Sequence, residues 1–405
     1  MPFDVATVRA HFPSLAEGAA HFDGPGGSQV PDVVGRAIAD TVTAAISNRG
    51  TFTPSERRAD AVVADFRSAY ADFLGADPRG IVHGRSATAL TYDFSRTLAK
   101  NWGPGDEIVV TRLDHDSNVR PWVQAAQSAG ATMRWVDFDP ATGELTADAV
   151  AAVVTERTRL VATTAASNLI GTKPPACRMS RLANEVGALH WKKEVHATAH
   201  ASVDIVALDA DVWTCSPYKF MGPHCGVLAA SPDLLETLHP DKLLPSTNDV
   251  PERFEFGTLP YEALAGATAA VDFIAGLAES SEGDDTASGT RRERIEASMK
   301  AVHAHERALL DVLEPALRGL PGVTVHSNAA KRTPTLLFTV EGRDPQEIRG
   351  LLAERGVNAP AGHFYAIECS RHLGLGDVGG VRVGLAPYTS ADDVDRLVTG
   401  LREIL

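Results

Sequence analysis

Residues 203–228 read VDIVALDADVWTCSPYKFMGPHCGVL. The run 211–216, DVWTCS, is short, apolar and rich in β-formers, the pattern of a strand buried in a parallel sheet. It ends in Ser216-Pro217-Tyr218-Lys219, turns through Gly222-Pro223 and enters a second apolar run, CGVLAAS. An ammonium between two apolar strands is poorly solvated. Desolvation lowers the pKa of such a lysine and makes it usable as a nucleophile and base. Taken by itself the segment also permits a packed stem with its head in water.

Working outward, the chain alternates strand and helix from Ile81. The runs IVHG, EIVVTR, ATMRWVDF, RLVATTAAS, ALHWK and DVWTCS are separated by stretches long enough for helices. This rhythm predicts an α/β architecture, a mainly parallel sheet covered on both faces, with chemistry on the loops that follow strands. One such loop, Gly84-Arg85-Ser86-Ala87-Thr88, opens a helix. The start of a helix presents unpaired N–H groups and a positive dipole end, a seat for phosphate, although a plain Ser N-cap reads the same way. Further loops carry Asp114-His115-Asp116-Ser117-Asn118, Ser167-Asn168-Leu169-Ile170-Gly171-Thr172 and Trp191-Lys192-Lys193-Glu194-Val195-His196. Ahead of them, His21 to Gln29 is glycine-dense, either a loop that lets backbone approach a ligand or a surface turn.

Bulk properties narrow the class. The chain has 405 residues, 44% hydrophobic and 22% charged, enough for two domains around sizeable cores. A net charge of -14 with no basic stripe argues against nucleic-acid or anionic-membrane partners. The N-terminus lacks a basic segment followed by an apolar one, and no apolar run is long enough to span a bilayer. Four cysteines (Cys177, Cys215, Cys225, Cys369) share no metal-ligand spacing and are too few for a disulfide framework, so a reduced, cytoplasmic setting is expected. His196-x3-His200 has no convincing third ligand, and no metal is expected.

Toward the ends, residues 4–15 read as a short amphipathic helix. Ser280 to Thr290 reads as an exposed polar loop leading into a long charged helix from about Arg291. TPTLLFTV and VRVGLAP read as strands. Asp344-Pro345-Gln346-Glu347 and Ser390-x-x-Asp393 read as helix starts, which together make a smaller α+β unit.

The spacing Asp204, Asp209, Ser216-x-x-Lys219, Gly222-Pro223-x-x-Gly226 resembles the lysine segment of fold-type-I pyridoxal-phosphate (PLP) enzymes. Within them it is most similar to class V aminotransferases, the group of cysteine desulfurases and selenocysteine lyases. The resemblance implies a PLP-dependent transferase fold with an N-terminal segment (1–20), a large PLP-binding domain (21–278) and a small C-terminal domain (279–405). It implies Lys219 as the residue that carries PLP and then serves as general base. His115 would stack on the pyridine ring, and Ser86, Ala87, Thr88 and Ser216 would hold the phosphate. Asn168 would contact cofactor and substrate, His196 the ring hydroxyl, and Arg382 of VRVGLAP the substrate carboxylate. Arg253 to Thr258 (RFEFGT) resembles a segment through which Gly257-Thr258 of one subunit reaches the partner's phosphate in a homodimer.

Two departures stand out. Lys193 occupies the place of the aspartate that pairs with the pyridine nitrogen. An ammonium there repels a protonated ring, and Glu194, one residue along, is expected on the other side of an extended strand. Tyr365, in Gly362-His363-Phe364-Tyr365, stands where cysteine desulfurases carry their persulfide-forming cysteine, while Cys369 reads as a helical packing residue. The expected activity is C–S (β-) cleavage of a small cysteine-like amino acid without an enzyme persulfide. Epimerisation and transamination share its first proton abstraction, and a cofactor-poor, non-catalytic homologue is the reading from another class.

Overall fold

The computed structural model describes residues 3–193, 196–278 and 289–405. Glu194 and most of the expected polar loop (280–288) lie outside the described residues. The strands in chain order are β1 (Ala20–His21), β2 (Ile81–Gly84), β3 (Glu107–Thr111), β4 (Thr132–Val136), β5 (Thr158–Thr163), β6 (Leu189–Lys193), β7 (Val212–Cys215), β8 (Gly226–Ala230), β9 (Val323–Val325), β10 (Thr335–Val340), β11 (Val357–Asn358), β12 (Ala361–Gly362) and β13 (Gly380–Gly384).

The central sheet has seven strands in the order β2-β8-β7-β6-β5-β3-β4. All pairings from β7 to β4 are parallel, and β8 runs antiparallel to both its neighbours. Each expected strand run is present, and the second run around Lys219 is the antiparallel return. Every residue of β3, β7 and β8 is buried, as strands covered on both faces require. The edge strand β4 alternates exposed and half-buried residues before the buried Val136, where no further strand covers it.

Alternation along the strands feeds two hydrophobic layers. Trp213, Val227 and Ala229 face helices Pro54–Leu74 and Tyr261–Ala275, meeting Phe66, Tyr70, Leu264 and Val271. Val212, Leu228 and Trp191 face the other way, toward Leu90 and Phe94 of helix Ala87–Ala99 and Trp122 of helix Arg120–Ala129. Trp122, Trp191 and Trp213 are all fully buried, each contributing about 2–3 kcal/mol relative to an exposed side chain.

The C-terminal part is a four-stranded antiparallel sheet, β12-β13-β10-β9, with helices Pro345–Ala353 and Ala391–Ile404 against it. Helix Arg291–Arg318 serves both cores: Ile295, Met299 and Val302 join the first, and Leu310, Leu313 and Leu317 join the small-sheet core. The capping box expected at Ser390 and Asp393 forms. At Asp344 the cap is simple, because Glu347 turns to Arg343 instead of the N-cap.

At the N-terminus the helix is Val5–Ala10, shorter than the expected 4–15. Pro13 cannot donate to a continuing helix, and a 3-10 turn Pro13–Glu17 follows. This segment is tied to the C-terminal part by Arg9 to Asp393 at 2.7 Å and by β1 pairing with β11.

Candidate active site

Lys219 closes a 3-10 turn, Pro217–Lys219, that follows β7, and its N–H donates to the Ser216 carbonyl at 3.1 Å. The parallel strands deliver their loops to the same end of the sheet, so Lys219 meets His115 after β3, Asn168 after β5 and Lys193 at the end of β6. Lys219 is buried. Its amine is held well below the ordinary lysine range, by desolvation first and then by the cations Lys193 and Arg382. A neutral amine at the carboxyl end of a parallel strand is a nucleophile.

The imidazole of His115 is neutral for the same reasons, desolvation followed by Lys193, Lys219 and Arg382. Its Nδ1 accepts from the Ser117 N–H at 3.0 Å, which assigns the ring proton to Nε2. Beside it Asp114 is buried. Asn118 donates to it at 2.7 Å, and the Thr111 hydroxyl also bonds to it. Desolvation pushes its carboxyl up to about 6, against the pull of those bonds and of Lys193.

Lys193 pairs in register with Thr214 of β7 and lies on the same strand face as Trp191, while His190 and Lys192 take the opposite face. Its charge acts on Lys219, His115 and Asp114 together, so the cation is turned into the site.

Arg382, on β13, is 1% exposed and enters from the small sheet. Its Nη1 donates to the Asn168 carbonyl at 2.9 Å, the Phe364 ring lies 3.7 Å from its Cζ, and its Nε has no hydrogen-bond partner. Burial brings it down to about 9, with Asp23 acting in the opposite direction. The glycine-dense loop approaches this group: a Cβ at Gly26 would lie 3.1 Å from Arg382 Nη2, and one at Gly27 3.5 Å from the Tyr218 ring.

The other expected residues are placed as follows. Ser86 is the N-cap of helix Ala87–Ala99, its Oγ accepting from Ala89 N–H at 3.0 Å, with Ala87 and Thr88 in the first turn. Ser216 is buried at the start of the lysine turn. Asn168 donates from Nδ2 to the Phe364 carbonyl at 2.9 Å, and its Oδ1 has no partner. Burial holds the His196 imidazole well below its ordinary pKa, with His200, Lys219 and Arg382 adding to it, and its Nε2 lies 2.9 Å from both the Thr333 and Thr335 hydroxyls. That bonding engages Nε2 with the small sheet. Tyr365 is exposed and stacks on His115. Thr258 is exposed and lines a cavity of about 530 Å³ with Gly84, Arg85 and His224.

Sequence reading passed over Asp23, Asp114 and Phe364. The doubled acid of Asp114-His115-Asp116 was a usable signal for one of them. Nothing local marks Asp23, which acts on Arg382 through its charge, or Phe364, whose ring reaches Arg382 from the loop before β13.

The residues fit a phosphorylated aldehyde. The amine of Lys219 is neutral and buried, and the cations around it suit an anionic ligand. The orphaned Arg382 Nε and Asn168 Oδ1 await a donor–acceptor partner. The helix start at Ser86 is reached closely by β8: a Cβ at Gly226 would lie 2.3 Å from the Ser86 carbonyl carbon and 2.5 Å from the Ala87 nitrogen. Among the described residues, Lys193 does not match a protonated pyridine.

Cys369 sits in helix Ile367–His372, fully buried, its thiol pushed up by desolvation, and burial raises Cys225 to about 12. Neither is disposed to form a thiolate. Among the described residues no group of three His, Cys, Asp or Glu side chains is placed to hold a metal ion, and no helix is long and apolar enough to cross a membrane.

Comparison with known proteins agrees with this geometry. The family model described as aminotransferase class-V matches residues 20–298 and 293–397. The uncharacterized protein MT3887 of Mycobacterium tuberculosis is 34% identical over 100% of both chains. A cysteine desulfurase of Synechococcus elongatus is 30% identical over 99% of this chain and 64% of its own length. Among solved structures, the cysteine desulfurase CsdA of Escherichia coli superposes with a TM-score of 0.85 at 25% identity, covering 100% of this chain and 98% of that one.

Proposed function

This chain belongs to the class-V aminotransferase family, a PLP-dependent enzyme of fold type I, and from that premise we propose that it cleaves a C–S bond in a small amino acid. The observation that carries the reading is the buried, neutral Lys219 at the carboxyl end of β7, facing His115 and Arg382.

Bound PLP supplies an aldehyde that captures amines and a ring that draws electron density from the α-carbon. The chain supplies the rest. Lys219 Nζ, in its uncharged form, would hold the cofactor and is placed to accept a proton from the α-carbon of a bound amino acid. The Nε2–H of His115 is the proton the chain offers on its side of the site. Arg382 orients a carboxylate through the edge that carries its unpartnered Nε. The helix start at Ser86, Ala87 and Thr88, with Ser216, takes the phosphate. Asn168, bridging Phe364 and Arg382, aligns the substrate with both.

Two features support elimination without an enzyme persulfide. Tyr365 stands on the loop in place of a thiol, and Cys369 is buried in a helix. Lys193 supports a second reading, epimerisation, over transamination. A cation facing the ring weakens its capacity to store the carbanion pair, which transamination needs most.

A homodimer is part of the proposal. Thr258 is exposed at a cavity rather than turned into its own Lys219 site, and Phe52, Leu243, Leu244 and Phe256 are exposed large apolar side chains. A reduced, cytoplasmic setting suits the free cysteines.

The test is spectroscopic and then chemical. Purified protein given PLP is expected to show a visible band that borohydride bleaches and that Lys219→Ala abolishes. Amino acids screened for pyruvate, sulfide or racemised product then separate elimination from epimerisation. A colourless protein that retains no PLP would overturn the assignment.

A further inference from the structure

We propose that the aromatic pair Phe364-Tyr365 is a positioning brace, Tyr365 aiming the imidazole of His115 and Phe364 the guanidinium of Arg382. The proposal rests on the site being the PLP site described above.

Two consecutive non-glycine residues, Phe364 and Tyr365, sit at φ of +50° and +60°. Bulky L-residues avoid this region, and such a pair persists only where its surroundings over-determine it. Here they do. The Asp116 N–H donates to the Tyr365 carbonyl at 2.6 Å, Asn168 Nδ2 donates to the Phe364 carbonyl at 2.9 Å, and the Tyr365 N–H donates to His363 Nδ1 at 3.2 Å. Both longer-range anchors come from the loops that carry His115 and Asn168.

The turn directs two rings at two site groups. The Tyr365 ring lies 19° from the plane of His115 with centroids 5.6 Å apart, and the Phe364 ring lies 3.7 Å from Arg382 Cζ. Tyr365 is 71% exposed, so burial of its own ring does not account for where it lies. Its contact is with His115.

The effect on each partner is specific. Tyr365 covers one face of an imidazole whose Nδ1 is already fixed by Ser117, leaving the other face for a planar ring. Phe364 covers one face of a guanidinium whose Nη1 is taken by the Asn168 carbonyl, so a carboxylate must approach in plane along the Nε–Nη2 edge. The loop that carries no thiol therefore sets the geometry of two residues it does not react through.

Two measurements test this. The ring signals of His115 are followed by NMR against pH, before and after PLP is added. Tyr365→Ala is expected to move the His115 titration up by about one pH unit or more as water reaches the ring, while Tyr365→Phe titrates as the parent does, since the face and not the hydroxyl does the work. Glycine binding is followed by the shift of the visible band in the PLP-loaded protein. Phe364→Ala should weaken it about tenfold, and Phe364→Tyr should restore it; Phe364→Leu replaces the alanine variant if that does not fold. The brace is refuted if Tyr365→Ala leaves the titration in place, if Tyr365→Phe shifts it as far as alanine does, or if Phe364→Ala binds glycine as the parent does. Absence of a borohydride-sensitive band in the parent removes the PLP reading instead, and the titration before PLP is added still judges Tyr365.

Discussion

Lys193 sits within electrostatic reach of the two groups that do the chemistry, Lys219 and His115. Desolvation is the larger cause of both shifts, and the charge of Lys193 adds to it. Lysine 219 acts as a base only when uncharged, so activity rises with pH through its pKa. Lys193 lowers that pKa, and Lys193→Met should raise it, moving the rising limb of kcat/KM to higher pH; a limb that stays in place would dismiss the coupling. Asp114 gives a second pH signature. Its folded pKa of about 6 is raised above the ordinary carboxylate value, so its contribution favours folding below pH 4 and is lost as pH climbs through 6. The span is worth about 3 kcal/mol at most. Asp114→Asn should flatten stability against pH between about 4 and 6, read by urea unfolding. At this scale the sequence was informative where chemistry is tied to a motif, as with Lys219, His115 and Arg382. It was silent on Asp23, whose charge acts on Arg382 from the far end of the chain, and on Phe364, whose ring meets Arg382 only because its loop folds back against β13. His196 shows the limit from the other side: its position was legible, but its hydrogen bonds to Thr333 and Thr335 were not.

Between elements, the decisive contact is the crossing of β8 over the start of helix Ala87–Ala99. Gly226 has no room for a methyl group there, with backbone atoms of Ser86 and Ala87 inside 3 Å of where it would stand. Gly226→Ala has to push the helix start away from the strand, a backbone overlap that costs about 3 kcal/mol or more. The expected result is loss of PLP retention measured by the visible band after desalting, with the remaining secondary structure seen by circular dichroism. Retention equal to the parent would show that the helix start is not where phosphate is held. Strand runs were readable because buried strands are written in continuous apolar stretches. The antiparallel sense of β8 was not, since direction depends on a connection around Gly222-Pro223 and leaves no periodic trace. The first helix was overextended for a simpler reason: Pro13 ends it, and amphipathic spacing continued past the proline.

For the molecule as a whole, the exposed Phe256, which lines the same cavity as Thr258, bears on assembly. Phe256→Asp should convert a dimer to monomer in light scattering and weaken PLP retention in parallel, because Thr258 is then no longer supplied in trans. A monomeric parent would refute the dimer outright. Acidic composition argues against nucleic acid and anionic membrane as partners, and a length that suits more than one hydrophobic core is readable from sequence. That a single helix, Arg291–Arg318, belongs to both cores was not, because its apolar stripe reads the same whichever layer it meets.

The bond from Arg382 to the carbonyl of Asn168 joins a late strand of the chain to an early loop. During synthesis, a polypeptide that has already released Lys219 from the ribosome still lacks the guanidinium and everything that leans on it. The residue proposed to fix the substrate carboxylate is therefore contributed last in chain order, after every residue proposed to hold the cofactor within the same chain.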